Sequence, residues 1–403
     1  MFAFATQFAS AQLSVTNYGA KCNWNGSTGT DDTAAFQAAA TAASNLYSVN
    51  GSTASVLLPA AQSCVVGGTV TIGSGVLFEG PGTIVVPGTQ MGPVLQFQNA
   101  DKSGVENLTI NILNVTTQDN PNLSAILWVD TSTDSTAHSR FFAKGNAVLN
   151  GSYGISVFSS NGSGSLDDVD ISNNSVTSSS AYKNSDGIHV DGNVHFITIS
   201  SNRVSNRGNA ALAITSGPGA QRTLSGAVIS NNTCFNNITG LDNSGGTNAI
   251  WSNNYVIATA PVSNTSNPAA RSIPYVGITP VNVKFIGNYL QNYQGSGTDF
   301  AAKIDDTGSN QITNVEWAGN TIVGTAGMWL MANTAVVRDN FFSPGSKISV
   351  EYDATDNYPG QNIMIGKNYW MGTGTISAPG NPALYSNNSL APQQSNGPIT
   401  IVG

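Results

Sequence analysis

Hydrophobic and polar residues alternate in a short unit that recurs along most of the chain. Each unit has eight residues: apolar side chains at alternating positions, then a polar residue or glycine, then an asparagine. Nine copies align, namely FFAKGNAV, VDISNNSV, ITISSNRV, AVISNNTC, AIWSNNYV, VKFIGNYL, VEWAGNTI, AVVRDNFF and IMIGKNYW. Alternation with a period of two predicts short β-strands that turn one face toward a core.

An asparagine stands in each unit where the predicted strand is expected to bend. Asparagine suits a sharp bend because it tolerates left-handed backbone and its side chain can form local hydrogen bonds. These asparagines are Asn146, Asn174, Asn202, Asn232, Asn254, Asn288, Asn320, Asn340 and Asn368. Such spacing is typical of a solenoid, whose coils stack about 4.8 Å apart, so the asparagines are expected to form a ladder.

A second strand is predicted in each coil. The segments GISV, GIHV, ALAI, GLDN, GMWL and KISV align with one another. The distance from this strand to the next bend asparagine varies, so loop insertions lie between the two strands, where a solenoid usually builds its function. Most gaps are too short and too rich in glycine and serine for the helices of a doubly wound α/β fold. The pattern predicts an all-β chain that winds as a right-handed parallel β-helix.

Three segments are predicted along the chain. Residues 15–380 form the single β-helix domain, and residues 381–403 form an irregular tail that covers the last coil. Residues 1–14 carry an Ala-Ser-Ala sequence like a cleavage site, which indicates a signal-peptide remnant or a flexible N-terminus. A short helix after Asp31 or Asp32, either of which can cap it, is expected to plug the open first coil. Its apolar stripe is Ala35, Phe36, Ala39 and Ala43.

Charge and composition limit the classes of partner that the protein is expected to bind. Only 9% of the 403 residues are charged, the net charge is −8, and there are 14 lysines plus arginines. Duplex nucleic acid is excluded because binding it needs a basic surface. No apolar run approaches the ~20 residues that span a bilayer. A sugar polymer or a protein is therefore the expected partner.

The three cysteines and the acidic segments bear on location and metals. Cys22 and Cys64 can pair if the protein is exported, and Cys234 is left as a small core residue. We expect a secreted or extracellular protein. No zinc motif is present and no cofactor is expected, although Asp167–Asp170 leaves calcium as an alternative.

The N-terminal segment resembles the opening of a known superfamily. Residues 15–43, VTNYGAKCNWNGSTGTDDTAAFQAAATAA, resemble the opening of the pectate-lyase-like β-helix superfamily, which commonly begins with the pattern fGAkgDGttDDTaAfqaAi. The resemblance implies a right-handed β-helix that usually acts on polysaccharide. Members include polygalacturonase-like hydrolases, polysaccharide lyases, uronate epimerases and phage tailspike depolymerases.

Candidate chemistry is concentrated in residues 184–193, NSDGIHVDGN. NSDGIHV is similar to the NTDGxxx motif of polygalacturonase-like hydrolases, and the resemblance implies that Asp186 is a catalytic carboxylate. The paired aspartates that the family places one coil later are replaced here by Arg207, Gly208 and Asn209. Asp186 would therefore need another partner for hydrolysis, which uses two carboxylates.

Stacking of the coils suggests that partner. On the GIxV strand the outward positions run Ser156, His189, Ala213 and Asp242, and two residues further along Phe158, Asp191, Thr215 and Ser244. The predicted catalytic residues are therefore Asp186, His189, Asp191 and Asp242. Asp242 would lie two coils from His189, at roughly 9–10 Å.

Predicted substrate-binding residues complete the candidate site. Lys303, Asp305 and Trp329 are expected on the same outward face. Arg207 lies just before the next strand, where it can reach a sugar carboxylate or shift a neighbouring pKa. Trp251 and Trp317 occupy inward repeat positions and are expected in the core.

Three functional hypotheses remain open. The first is an exported glycoside hydrolase with an acid–base pair formed by Asp186 or Asp191 with Asp242. The second is a polysaccharide lyase or uronate epimerase, in which His189 acts as base and Arg207 or Lys303 neutralises the sugar carboxylate. The third is a non-catalytic carbohydrate-binding solenoid or a tailspike-like protein. The expected assembly is a monomer or a homotrimer.

Overall fold

The structure is a computed structural model of the chain. It describes residues 11–114, 120–132, 135–159, 164–179, 185–216, 224–258, 268–275, 278–292, 300–305, 312–324, 326–350, 352–353, 358–359, 362–377, 389–390, 394–395 and 399–402. The suggested cleavage site extends into residues 1–10, which lie outside this set, as does most of the predicted C-terminal tail.

Three long parallel sheets form the walls of the molecule. Within the described residues sheet I has 14 strands, and every strand pairs with the equivalent strand of the neighbouring coils. Its strands are β1 (Ala11–Ser14), β2 (Ala54–Leu57), β5 (Val76–Glu79), β8 (Ser103–Glu106), β11 (His138–Lys144), β14 (Leu166–Ser172), β17 (Val194–Ser200), β20 (Ser225–Ser230), β23 (Ile250–Ser252), β26 (Val281–Ile286), β29 (Thr313–Ala318), β32 (Ala335–Arg338), β37 (Ile363–Gly366) and β40 (Ser389–Leu390).

Sheets II and III have 13 strands each in the part of the chain that the structure describes. Sheet II contains β3 (Ser63–Val65), β6 (Thr83–Val86), β9 (Thr109–Ile112), β12 (Ala147–Leu149), β15 (Ser175–Thr177), β18 (Arg203–Ser205), β21 (Thr233–Asn237), β24 (Tyr255–Ala258), β27 (Tyr289–Asn292), β30 (Thr321–Val323), β33 (Phe341–Phe342), β38 (Tyr369–Trp370) and β41 (Gln394–Ser395). Sheet III contains β4 (Val70–Ile72), β7 (Leu95–Gln98), β10 (Ile126–Asp130), β13 (Ile155–Ser159), β16 (Ile188–Asp191), β19 (Ala210–Thr215), β22 (Thr239–Ser244), β25 (Ala270–Ile273), β28 (Ala302–Ile304), β31 (Met328–Leu330), β34 (Lys347–Val350), β39 (Gly374–Ser377) and β42 (Ile399–Val402).

The predicted right-handed parallel β-helix is confirmed. The eight-residue unit runs along a sheet I strand, passes a corner at the asparagine and enters sheet II, and the GIxV segments form sheet III. Each coil therefore has three strands where the sequence pattern indicated two. The sequence pattern does not reveal the sheet II strand, because only two residues follow the asparagine inside the unit.

The nine predicted asparagines form a continuous ladder at the corner between sheets I and II. Each is at most 2% exposed. In the middle of the ladder, Nδ2 of Asn232 donates to Oδ1 of Asn254 at 2.9 Å and to the carbonyl oxygen of Ile199 at 2.9 Å. The backbone N–H of Asn232 donates to the same Oδ1 at 3.1 Å. Every coil thus satisfies its buried amide through the next coil.

The left-handed residue at this corner is not the ladder asparagine but the residue before it. Those preceding residues have φ between 54° and 66°, and they are Gly145, Asn173, Ser201, Asn231, Asn253, Gly287, Gly319, Asp339 and Lys367. The expectation that the ladder asparagines themselves take up the left-handed bend was therefore wrong. Their role is to hydrogen-bond along the helix axis, while the preceding residue turns the chain.

Inward side chains of the three sheets fill a single apolar core. Trp251 and Trp317 are fully buried, as predicted, and both rings stack on Phe285, with centroids 5.9 and 4.0 Å away. Cys234 is a buried free thiol in the same core. Equivalent inward positions on successive coils contact one another, so apolar side chains form stacks parallel to the asparagine ladder.

Helix α1 (Thr33–Asn50) covers the first coil, as predicted. It buries Ala35, Phe36, Ala39, Ala40 and Ala43, and the Phe36 ring stacks on Phe78 of β5. Two 3-10 helices, Val15–Tyr18 and Pro121–Leu123, complete the helical elements of the described chain.

Asp31 and Asp32, at the start of α1, have different structural roles. Asp31 Oδ1 accepts a hydrogen bond from the backbone N–H of Thr33 at 3.0 Å. Asp32 instead accepts from the backbone N–H groups of Lys21 and Cys22. Cys22 forms a disulfide with Cys64, which joins this N-terminal segment to β3.

The β-helix extends beyond the predicted 15–380 boundaries at both ends. Strand β1 (Ala11–Ser14) pairs in parallel with β2, and β40, β41 and β42 pair with β37, β38 and β39. The described parts of residues 381–403 therefore add strands to all three sheets instead of forming an irregular tail. A two-stranded antiparallel ribbon, β35 (Tyr352–Asp353) with β36 (Tyr358–Pro359), projects from the last coils. Within the described residues, no helix has the length and apolar character needed to cross a membrane.

Asn232→Ala tests the ladder. The substitution removes donors to Asn254 and Ile199 and leaves buried partners unsatisfied, so we expect a loss of about 2–3 kcal/mol of stability. Urea unfolding followed by circular dichroism measures it. Thr198→Ala, at an exposed position of β17, is the matched control and should change stability by less than about 0.5 kcal/mol. Equal midpoints for the two variants would show that the ladder does not stabilise the coils.

Candidate active site

The outward face of sheet III carries two rows of side chains that run along the helix axis. Strand register places Ser156, His189, Ala213, Asp242, Arg271, Lys303 and Trp329 in the first row. The second row, two residues further along each strand, holds Phe158, Asp191, Thr215, Ser244 and Ile273, and Asp305 continues it. The sequence-predicted rows are thus confirmed, and Asp242 lies two strands from His189, which corresponds to about 10 Å.

Asp186 and His189 form a hydrogen-bonded pair at the start of β16. Oδ2 of Asp186 lies 2.5 Å from Nδ1 of His189, and Oδ1 accepts from the backbone N–H of Ala210 at 2.7 Å. Asp186 is 1% exposed, so its carboxylate lies behind the imidazole and away from solvent. Between them Gly187 is required, because a Cβ there would lie 2.2 Å from Cγ1 of Val204.

Because Nδ1 faces Asp186, the other ring nitrogen faces the surface. Nε2 of His189 lies 3.9 Å from Oδ2 of Asp191, and the His189 side chain is 15% exposed. The ring of Tyr153, from the previous coil, meets the imidazole edge to face at 5.1 Å. The arrangement holds the imidazole in one orientation with Nε2 available for proton transfer.

The acids around His189 control its protonation. Burial lowers the pKa of His189, but the hydrogen bond and charge of Asp186, together with Asp191 and Asp242, outweigh burial and raise the pKa to about 8. The imidazole is therefore mostly protonated at neutral pH and deprotonates under mildly alkaline conditions.

Asp191 and Asp242 have different surroundings. The Asp191 side chain is 17% exposed beside Nε2 of His189. Asp242 is 5% exposed; its Oδ2 lies 2.6 Å from Nη2 of Arg271, and its Oδ1 accepts from Oγ of Ser244 at 2.8 Å. The charge of Asp242 in turn raises the pKa of Arg271. Asp242 is thus held as a paired carboxylate.

Arg207 does not reach the surface. Its side chain is fully buried, and its guanidinium donates to the backbone carbonyl oxygens of Gly151, Ser152, Ser185 and Asp186. This burial contradicts the predicted contact between Arg207 and a substrate. The reason is local: Arg207 follows a left-handed Asn206 at the corner between sheets II and III, so its side chain turns inward.

The other predicted binding residues lie on neighbouring strands, Lys303 and Asp305 three coils beyond Ala213 and Trp329 four coils beyond it. Nζ of Lys303 lies 2.6 Å from Oδ2 of Asp305 and 5.5 Å from the ring centroid of Trp329. Phe300 meets the half-buried Trp329 ring edge to face at 4.9 Å. These side chains form an aromatic and charged patch in the same rows as His189.

Sequence reasoning missed two neighbours of the site, Arg271 and Tyr153. Arg271 lies in the segment AARSI, which aligns with GLDN of the preceding coil but was not recognised as a member of that series. Tyr153 lies just before β13, and its contact with His189 depends on side-chain direction, for which the repeat pattern carries no signal.

The residues suggested for calcium have protein partners. Oδ1 of Asp167 lies 2.9 Å from Nδ1 of His195, and Oδ2 of Asp170 lies 2.7 Å from Nζ of Lys144. Within the described chain, the metal-like grouping is Cys22, Asp32 and Cys64, whose two sulfurs form the disulfide. Calcium binding therefore stays a prediction.

Comparison with known proteins found similar structures, but no match to the sequence. No protein-family model matches the sequence, and no curated protein matches it. The catalytic unit of a GH87 alpha-1,3-glucanase from Streptomyces thermodiastaticus aligns with a TM-score of 0.53 and 14% identity, over 97% of this chain and 70% of that one. An exopolygalacturonase from Thermotoga maritima aligns with a TM-score of 0.53 and 12% identity, over 98% and 93%.

A third similar structure is the A-module of the mannuronan C-5 epimerase AlgE4 from Azotobacter vinelandii. It aligns with a TM-score of 0.51 and 14% identity, over 97% of this chain and all of that module. At such identities the likeness is one of fold. The chain shares with these three structures the right-handed parallel β-helix fold that the sequence indicated.

The raised pKa of His189 makes stability depend on pH. The folded protein holds this proton more tightly than the unfolded chain, so the contribution is complete below about pH 6.5 and is lost as pH rises through about 8. The difference between 6.5 and about 8 corresponds to about 2 kcal/mol. Urea unfolding between pH 6 and pH 9 should show this loss in the wild type and not in His189→Gln. A parallel pH dependence in the two proteins would contradict the assignment.

Proposed function

We propose that the protein is a carbohydrate-active enzyme that hydrolyses a polysaccharide on the outward face of sheet III. The observation that supports this most is the Asp186–His189 pair, which turns Nε2 outward next to Asp191. A buried carboxylate behind an imidazole is an arrangement for proton transfer, and it lies among the row of polar side chains that a linear polymer can follow.

The proposed roles of the side chains follow from the protonation state of His189. At neutral pH the imidazolium of His189 donates its Nε2 proton to the glycosidic oxygen as the bond to the leaving sugar breaks. The Asp191 carboxylate, whose Oδ2 lies 3.9 Å from Nε2 of His189, stabilises the positive charge that develops on the sugar, while water adds to the anomeric carbon and releases a proton to solvent. Asp186 orients the ring, and Asp242 holds Arg271 in place. This differs from a pair of catalytic carboxylates, because Asp186 and Asp242 are both engaged by protein groups.

Charge balance favours a neutral or weakly charged glycan. Among the described residues of the two rows, Arg271 is paired with Asp242 and Lys303 with Asp305. Both cations are therefore already neutralised, which weakens any attraction for a strongly anionic polymer. Trp329 offers an aromatic surface for the apolar side of a sugar ring. Likeness to an alpha-1,3-glucanase agrees with this substrate class.

A lyase or uronate epimerase is the second candidate. Above its pKa His189 is a neutral base, and Arg271 and Lys303 lie in the same row, where they can contact a uronate carboxylate. Likeness to a mannuronan C-5 epimerase favours this candidate. It requires the cations to exchange Asp242 or Asp305 for the substrate.

The disulfide supports export, and an exported protein can meet a polymer substrate of either kind. The Cys22–Cys64 disulfide is the kind of bond that persists in oxidising compartments. We therefore propose that the protein acts outside the cytosol, where polysaccharides of cell walls and matrices are found.

Product analysis on a panel of neutral and uronic polysaccharides tests the proposal. Hydrolysis should release reducing sugars without absorbance at 235 nm, whereas a lyase would produce that absorbance. His189→Gln should reduce kcat/KM by about 10²–10⁴-fold, because general acid catalysis contributes that much. Asp191→Asn should also lower kcat.

The matched control is His195→Gln. His195 also pairs with an aspartate, Asp167, at 2.9 Å from Nδ1, but it lies on sheet I, away from the two rows. We expect this variant to retain wild-type activity. Equal losses in the two histidine variants, or no activity on any polymer, would contradict a catalytic role for His189.

A further inference from the structure

Arg207 joins three successive coils beneath the Asp186–His189 pair. Nε lies 3.1 Å from the carbonyl oxygen of Ser185, and Nη2 lies 2.9 Å from that of Gly151 and 2.7 Å from that of Asp186. Gly151 belongs to the coil before Asp186, and Arg207 to the coil after it. One side chain therefore holds the backbone on which Asp186 is mounted.

Arg207 also stands out by its position in the repeat. One coil later, the equivalent corner position is occupied by Asn237, whose Oδ1 accepts from the backbone N–H of Arg207 at 2.9 Å. Asn237 is neutral and satisfies its coil in the same way as the ladder asparagines. The equivalent corner of the next coil is thus built without a charge, so the charge of Arg207 calls for a separate explanation.

The charge of Arg207 balances that of Asp186. Both side chains are buried, and removing an isolated charge from water costs several kcal/mol. The guanidinium binds carbonyl oxygens, and its Nη1 has no hydrogen-bond partner within the described structure. Burial lowers the pKa of Arg207 to about 10, and the charge of Asp186 acts against that decrease. Each buried charge thus stabilises the other without a direct contact between their ionised groups.

We propose that Arg207 is a positioning residue for the Asp186–His189 pair: it fixes the backbone at Asp186 and supplies a buried positive charge close to the carboxylate that lies behind the imidazole. The inference rests on the proposed function for its catalytic meaning. The effect of the Arg207 charge on the proton affinity of His189 can be measured without a substrate.

The sign of the effect follows from the groups that face His189. Tyr153 contacts its ring from the previous coil, Asp186 and Asp191 flank it on β16 and the turn before it, and Asp242 acts from two coils further on. Arg207 is the buried cation on the Asp186 side. Removing a positive charge leaves the surroundings of His189 more negative, which favours its protonated form, so the pKa of His189 must rise.

An NMR titration of protein labelled with ¹⁵N at histidine tests this inference. Arg207→Met should raise the pKa read from the His189 ring nitrogens above the wild-type value by about 1 pH unit, and Arg207→Lys, which keeps the charge, should raise it less. Arg203→Met is the matched control, because Arg203 is exposed and lies over the Phe235 ring on sheet II. It should leave the His189 titration unchanged.

Other results would overturn the inference. If Arg207 only packs the corner, Arg207→Met will leave the His189 pKa unchanged or lower it toward 6.5 as the pair separates. If Arg207→Met does not fold, Asp186→Asn combined with Arg207→Met decides the matter. Charge compensation predicts that the double variant regains folded protein, whereas a packing role predicts that it remains unfolded. Loss of polysaccharide activity does not enter these readouts, so failure of the proposed function remains distinguishable.

Discussion

The hydrogen bond between stacked asparagine side chains is the interaction on which the rest of the molecule depends. Each ladder amide from Asn146 to Asn340 donates to the next, as Asn232 does to Asn254 at 2.9 Å, so each of these corners depends on the neighbouring coil. Because a buried amide without a partner costs about 1–3 kcal/mol, the coils are held at one register along nine corners. Insertions between strands change the loops but leave that register intact.

A fixed register is what assembles the candidate site. Residues far apart in sequence, such as His189 and Asp242, come into one row because each strand of sheet III repeats the same inward and outward positions. The coils depart from the repeat next to His189. There Asp186 and Arg207 place opposite charges inside the wall, and burying such charges is costly. The resulting electrostatic field acts on the one imidazole of sheet III within the described chain.

The fold and the rows of the site could be predicted from the sequence, whereas the burial of individual side chains could not. Alternation and spacing determined the ladder, the plugging helix and the rows that contain His189, Asp191 and Asp242, because these depend only on repeat position. Arg207 was misassigned because the sequence does not show that its side chain turns inward at a left-handed corner. Arg271 was missed because its strand lacks the glycine that marks its neighbours. The corner strand of sheet II was too short to show a period.

The decisive measurement is a crystal structure of the Asp191→Asn variant with an oligosaccharide substrate identified by the polymer panel. If the stacked coils create a binding surface on sheet III with His189 at its reactive point, sugar rings will lie along the two rows. A glycosidic oxygen will then lie within hydrogen-bond distance of Nε2 of His189, and an apolar ring face will lie over Trp329. An oligosaccharide bound on sheet I or sheet II, with His189 facing only water, would contradict it.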